Sequence, residues 1–158
     1  MNTASTHPKI TPCLWFDGNG GEAIKHYTAI FNNSGVEDVS HQGKDAQLLA
    51  GTFLLNGQEF MVLNGGPQFK FNEAISLMVN CETQEEVDYY WERLSEGGET
   101  GRCGWLKDKF GVSWQVVPTI LSKLMSSPDR ERGQRVMQQL MKMTKLDIQP
   151  LQDAADGK

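Results

Sequence analysis

The stretch FLLNGQEFMVLNG, residues 53–65, contains the strongest fold signal in the chain. Two segments rich in apolar residues, 48–55 and 58–63, flank the dipeptide Asn56-Gly57. A two-residue type I′ turn prefers Asn-Gly because both of its central residues need a positive φ. The stretch therefore predicts an antiparallel β-hairpin.

A second stretch, WLKDKFGVSWQVV at residues 105–117, has a similar pattern. A helix is predicted upstream of each hairpin, over residues 20–31 in the first case and from the capping-box residue Thr83 in the second. Tyr27 and Tyr90 occupy matching positions on these two helices. The order strand, helix, three strands therefore occurs twice, which predicts two βαβββ modules related by duplication.

The two modules and their flanking segments give a division of the whole chain. A helical region is predicted after the second hairpin: a short helix over 119–125, then a longer one that begins with Ser127 as N-cap and Pro128 and reaches about Lys145. Its Met and Leu stripe would cover either the domain's own sheet or a dimer partner. The predicted ranges are a flexible tail at 1–8, a single domain at 9–150 (module one about 9–66, module two about 74–118, C-terminal helices about 119–150) and a flexible tail at 151–158.

Composition excludes several classes of protein. Of the 158 residues, 39% are hydrophobic, which is enough for a folded core, and the formal charge of −5 argues against nucleic acid as a partner. The chain has no apolar segment long enough for a membrane helix and no signal-peptide pattern at its start. Three cysteines do not make a disulfide framework, so we expect a cytoplasmic protein.

Four stretches together resemble one family: KITPCLWFDGNGGEAIKHYTAIF (9–31), LLNGQEFMVLNGGP (54–67), AISLMVNCETQEEVDYYWERLSEGGE (74–99) and GWLKDKFGVSWQVVP (104–118). They are similar to PhnB-like proteins of the glyoxalase/bleomycin resistance/dioxygenase, or vicinal oxygen chelate, superfamily. This resemblance covers about residues 8–150. It implies an α+β fold of paired βαβββ modules with open, cup-like sheets, and a homodimer in which the cups surround a small-molecule ligand.

The resemblance also implies where a divalent metal would bind, on the first and last strands of each module. Counting from the helix tyrosines and the hairpin glycines leads to Thr11 or Pro12, Met61, Ala74 and Gln115. Only Gln115 has an oxygen donor suited to such an ion. The three histidines are not spaced as ligand pairs. We therefore predict neither a metal nor a cofactor.

An aromatic concentration on or beside the predicted strands indicates a ligand pocket. Trp and Phe are frequent core residues, so part of this set is expected to be ordinary packing. A cup lined by such groups with a few polar side chains is nevertheless typical of small-molecule sites. The candidate pocket residues are Trp15, Phe53, Met61, Asn64, Phe71, Cys103, Trp105, Trp114 and Gln115.

The function expected from these observations is that of a dimeric, metal-free small-molecule-binding protein or enzyme of unknown substrate, with no catalytic residue identified. One alternative is a metal-dependent lyase or dioxygenase with relocated ligands, and another is an interaction module without a ligand. A third is the methyltransferase that the family's label, 3-demethylubiquinone-9 3-methyltransferase, implies. The glycine-rich segment 18–21 lacks the full G-x-G-x-x-G pattern, so we interpret it as a tight entry to the first helix.

Overall fold

The computed structural model describes residues 8–43, 47–126 and 128–158. The chain divides into two compact units, Met1–Phe71 and Asn72–Lys158, where the sequence predicted one domain with two modules. Each unit contains one of the predicted modules. The first seven residues, predicted to belong to a tail, and Ser127, predicted to be an N-cap, lie outside the described residues.

Unit one has the order strand, helix, three strands. Its sheet has the order β1-β4-β3-β2, in which β1 pairs parallel to β4 and the other pairs are antiparallel. The elements are β1 (Cys13–Phe16), α1 (Gly20–Ile30), β2 (Gly35–Gln42), β3 (Gln47–Leu55) and β4 (Gln58–Asn64).

The hairpin and the helix of unit one form for the reasons that the sequence indicates. Asn56 and Gly57 have φ values of 48° and 81°, which are the positive angles that a type I′ turn requires. Ala23, Ile24 and Tyr27 on one stripe of α1 are buried. The predicted hairpin and the apolar stripe of the helix are thus confirmed.

Unit two repeats the pattern and adds helices. Its sheet has the order β5-β8-β7-β6, with β5 parallel to β8. The elements are β5 (Leu77–Cys81), α2 (Gln84–Ser95), β6 (Glu99–Thr100), β7 (Trp105–Lys107), β8 (Ser113–Pro118), α3 (Ile120–Met125), α4 (Arg130–Leu140) and α5 (Ile148–Asp156).

Local signals account for the elements of unit two. The Thr83 side chain caps α2 by accepting a hydrogen bond from the Glu86 backbone N–H at 3.3 Å, as predicted. Residues 99–107 contain two short strands, β6 and β7, rather than one continuous strand, because Cys103 and Gly104 turn the chain with φ values of 57° and 81°.

The C-terminal helices differ from the prediction in two ways. Helix α4 begins after Asp129, whose carboxylate accepts hydrogen bonds from two backbone N–H groups of the first turn, and it ends at Leu140 rather than near Lys145. Residues 151–158, expected to form a flexible tail, lie largely in α5. Burial of Leu151 and Ala155 against Leu124 and Val136 holds that helix in place.

The architecture is thus α+β, with two open four-stranded sheets and C-terminal helices, as expected from the sequence. In the described part of the chain, none of the helices is long and apolar enough to cross a membrane.

Candidate functional site

Each sheet has one covered face and one open face, because alternate residues of a strand point to opposite sides. In unit one, Leu14, Phe16 and Val62 are buried on the side of α1. The alternate positions Cys13 and Met61 are exposed. We call the side that carries these two residues the open face of unit one.

The sheet of unit two alternates in the same way. Val79 and Val116 are buried, whereas Met78 is exposed and Gln115 is partly exposed. Trp105 pairs directly with Gln115, and paired residues share a face of the sheet. These positions define the open face of unit two.

Strand register shows which side chains of the first and last strands of each unit lie side by side on the open face. Met61 pairs with Cys13, and Gln115 pairs with Met78. Counting along the sequence had placed the first-strand positions at Thr11 or Pro12 and at Ala74. Those first-strand positions lie just before β1 and β5, in segments that are not strands.

The four paired side chains do not fit a hard divalent ion. They comprise one thiol, two thioethers and one amide, and partial removal of the Cys13 thiol from water raises its pKa, which favours its protonated form. The Gln115 amide donates a hydrogen bond to the Ser76 hydroxyl at 2.9 Å. Among residues 8–43, 47–126 and 128–158, no group of three or more His, Cys, Asp and Glu side chains is arranged to hold a metal ion.

A cavity opens on each of these two faces, and these are called the cavity of unit one and the cavity of unit two. The cavity of unit one measures about 160 Å³ and lies between β2 and β3, next to β4. Its lining includes Asp38, Ser40, Thr52 and Met61. Its side chains are therefore mainly short and polar, with one thioether.

The cavity of unit two measures about 130 Å³ and contains an ion pair. The Lys107 ammonium lies 2.5 Å from the Glu73 carboxylate. This contact lowers the pKa of Glu73 and raises the pKa of Lys107, since each charge stabilises the other. Glu99, Trp105 and Ser113 complete the polar and aromatic part of the lining. The cavity thus combines charge, an indole ring and a hydroxyl.

Four of the nine predicted pocket residues occupy open-face positions: Trp15, Met61, Trp105 and Gln115. Met61 and Trp105 line the two cavities. The Trp15 indole N–H donates to the Gly66 carbonyl at 2.9 Å, and its ring packs edge-on against Phe69. Trp15 therefore secures the segment that follows β4.

Three other predicted residues lie in the covered cores. Phe53 stacks on Phe60 and is almost fully buried, as is Trp114. The Asn64 side chain accepts a hydrogen bond from the Gly20 N–H at 2.9 Å and donates one to the Leu48 carbonyl at 2.8 Å. Asn64 thus joins the start of α1 to the sheet, so these three residues hold the fold and do not line either cavity.

The last two predicted residues, Phe71 and Cys103, lie outside both cavities. Phe71 packs edge-on against Phe16 with ring centroids 5.1 Å apart. The Cys103 thiol contacts the Leu140 carbonyl at 3.6 Å and the Met141 sulfur at 3.7 Å. Both residues therefore pack within their own unit.

Sequence reasoning missed the polar residues that line the cavities. Ser113 stands two positions before Gln115, and Lys107 stands two positions after Trp105. Strand periodicity places i and i+2 on one face, so this alternation was a usable signal. Asp38 and Thr52 were harder to find, because they share the cavity of unit one only through the register of β2 with β3.

Comparison with known proteins supplies independent information. A family model described as 3-demethylubiquinone-9 3-methyltransferase matches residues 8–117. A PhnB protein from Bacillus cereus is 36% identical, with a TM-score of 0.67, and the match covers 71% of this chain and all of that one. Comparison with curated proteins gave no match.

Two further structures show similarity of fold. Protein PA1353 from Pseudomonas aeruginosa is 20% identical with a TM-score of 0.60, over 71% of this chain and 98% of its own. The fosfomycin resistance protein FosX from Listeria monocytogenes is 21% identical with a TM-score of 0.52, over 75% and 97%. Because the family model spans more than half of the chain, the chain belongs to the 3-demethylubiquinone-9 3-methyltransferase family, to which the PhnB protein from Bacillus cereus is also assigned by its description.

Proposed function

We propose that this protein is a dimeric, metal-free, cytosolic protein or enzyme that binds a small molecule on the open faces of its sheets. The observation that carries the proposal is the difference between the two faces of each sheet. One face packs into a core, and the other presents a cavity: about 160 Å³ with short polar side chains and a thioether in unit one, and about 130 Å³ with polar side chains and an indole ring in unit two. Concave sites of this composition are typical of small-molecule binding.

The metal-free part of the proposal is supported by the chemistry of the donor set. The register positions hold sulfur atoms and one amide, whereas a hard divalent ion prefers carboxylate, carbonyl and water oxygens. The cytosolic part is supported by the cysteines, all three of which are free thiols.

The dimeric part of the proposal is supported by exposed apolar side chains. Met61 and Met78 on the open faces are 36% and 53% exposed, and Val36 and Val39 on the edge strand β2 are 52% and 40% exposed. Apolar side chains this exposed are available for contact with a partner or a ligand. A second copy of the chain would supply such cover.

The family description favours a second candidate, a methyltransferase. The segment 18–21 is where a glycine-rich nucleotide-binding turn would be sought. Its Gly20 N–H is already bonded to Asn64, and a Cβ at Gly20 would lie 2.6 Å from a Val62 methyl group. This packing supports a structural role for the segment. Titration calorimetry with S-adenosylmethionine tests the candidate, and micromolar binding would favour it over the first proposal.

One preparation tests the first proposal. Native mass spectrometry of the full-length protein, combined with metal analysis, is expected to give a dimer mass, less than stoichiometric metal and a bound small molecule that denaturation releases. A monomer mass at micromolar concentration would overturn the dimeric part. Stoichiometric zinc, manganese, nickel or iron that chelation removes together with ligand binding would overturn the metal-free part.

A further inference from the structure

The cavity of unit two contains a hydroxyl group whose hydrogen-bonding capacity is unused. Ser113 is 1% exposed and lines this cavity. Its Oγ has no hydrogen-bond partner within the described part of the chain. A buried hydroxyl without a partner is costly, because it has lost its bonds to water and gained none in return. A bound group that satisfies this oxygen would remove the cost.

The charges around Ser113 indicate the sign of the charge on the group that would bind to its hydroxyl. Lys107 is the Cα partner of both Ser113 on β8 and Glu99 on β6, so all three lie on the open face. The Lys107 ammonium is held by Glu73 at 2.5 Å. Two carboxylates therefore surround one ammonium, and the formal charge of the cavity is −1. This balance attracts a cation and repels an anion.

The other lining residues and the size of the cavity narrow the class of ligand further. The indole of Trp105 is a wall of the cavity, and aromatic rings attract ammonium groups. A cavity of about 130 Å³ has room for a small head group. A primary ammonium has three N–H donors, enough for the Ser113 hydroxyl and the Glu99 carboxylate together.

We propose that the cavity of unit two binds the primary ammonium group of a small organic amine, with Ser113 Oγ as acceptor, Glu99 as counter-ion and Trp105 as the aromatic wall. This inference rests on the proposed function and names its ligand class. Glu99 and Thr100 at the edge of the cavity are exposed, so the cavity is open to solvent on that side. The ligand therefore needs only a short alkyl chain beyond the nitrogen.

The test uses the full-length, ¹⁵N-labelled protein and three probes of matched shape: n-butylammonium, n-butanol and butyrate. Amide and indole N–H shifts of Ser113, Trp105 and Gln115 are followed in ¹H–¹⁵N spectra at low ionic strength. We expect saturable millimolar binding of butylammonium, at least tenfold weaker binding of butanol and no saturable binding of butyrate.

Variants separate the site from general electrostatic attraction. Glu99→Gln is expected to weaken butylammonium binding at least fivefold, and Ser113→Ala about threefold. Glu96→Gln removes the same charge from an exposed residue that does not line the cavity, and it is expected to leave binding unchanged. Equal effects of the Glu99 and Glu96 variants, or tighter binding of butyrate than of butylammonium, would overturn the inference.

The same titrations keep this inference apart from the proposed function. If butanol or butyrate shifts the Gln115 and Trp105 signals saturably while butylammonium does not, the amine class is wrong and small-molecule binding on the open face stands. If none of the three probes, nor a wider set of neutral and charged fragments, shifts any open-face residue of either unit, both proposals fail.

Discussion

The hairpins of the two units are stabilised in different ways. In unit one, β3 has nine residues and β4 has seven, and the two-residue Asn56-Gly57 turn joins them. In unit two, β7 has three residues and β8 has six, with a longer loop between them. The buried Asp108 carboxylate accepts hydrogen bonds from the N–H groups of Phe110, Val112 and the Trp114 indole, at 2.8–3.0 Å.

Unit two also relies on chain that follows the βαβββ pattern. Leu146 is fully buried, and a Cβ at Gly104 would lie 3.2 Å from its side chain. The Gln84 side chain donates to the Leu146 carbonyl and accepts from the Ile148 N–H. The family model ends at residue 117, before this segment. A short pair of strands such as β7 and β8 can therefore be supported by side-chain hydrogen bonds and by the segment around Leu146 and Ile148, which we call the docked extension.

Removal of the Asp108 carboxylate tests the difference between the two hairpins, and we expect it to have the largest effect. Asp108→Ala is expected to lower the free energy of unfolding by about 4 kcal/mol, because three N–H donors in and beside the loop lose their buried carboxylate acceptor. Urea denaturation measures the change, and hydrogen exchange of 113–118 should accelerate more than that of 58–64. A loss below about 1 kcal/mol would show that the loop holds its shape without this side chain.

The docked extension is tested by Leu146→Ala. Truncation of a fully buried leucine leaves a cavity, so we expect a destabilisation of about 3 kcal/mol in urea denaturation. Met137→Ala, on the exposed side of α4, is the matched control, with an expected change of about 0.5 kcal/mol or less. If the two variants are equally stable, the extension does not support unit two.

The tight turn of unit one is tested by Asn56→Ala. Asn56 has a φ of 48°, a left-handed conformation that alanine adopts at a cost of about 1 kcal/mol. Asn56→Gly should be close to neutral, since glycine adopts this conformation readily. Thermal unfolding of both variants checks the prediction. A neutral alanine variant would mean that the long ladder, and not the turn, sets the register of unit one.

The smallest expected effect is a dependence of stability on pH that arises from the buried Cys81 in unit two. Burial, followed by the nearby Glu86 and Glu82 carboxylates, raises the pKa of Cys81 from 9.0 to about 12. Because this pKa is raised on folding, the stabilisation is complete below pH 9 and declines as the pH rises towards 12.

Cys81→Ala removes that titration. Between pH 7 and pH 10, the wild-type protein is expected to lose about 1 kcal/mol more stability than the variant, as measured by urea denaturation. Only the difference between the two pH values matters, because the substitution also removes packing at every pH. Equal losses for the two proteins would contradict a pKa raised by burial.

The sequence predicted the repeated fold better than it predicted the site. Local signals such as Asn56-Gly57 and the Thr83 cap act over a few residues, so they can be recognised without a structure. The predicted boundaries of the C-terminal helices were wrong, because the segment that contains Leu151 and Ala155 is held as a helix by burial against α3 and α4. Helix propensity alone is a weak guide to such segments.

Among the nine predicted pocket residues, aromatic character did not separate the open face from the core. Trp105 and Trp114 are both tryptophans on adjacent strands, yet the first lines a cavity and the second bonds to Asp108 in the interior. Which face a residue occupies depends on the parity of its position in the strand. The residue type carries no such information.

The amino-acid sequence by itself determined the family, the two βαβββ modules, the tight turn of unit one and the helix caps, because these depend on residue types at short spacings. Only the tertiary structure decided which side chains share an open face, which hydroxyl remains without a partner, and how the chain beyond residue 118 supports unit two. Those features depend on strand register and on contacts between distant residues. Ser113 and Lys107 become neighbours only when β7 and β8 pair.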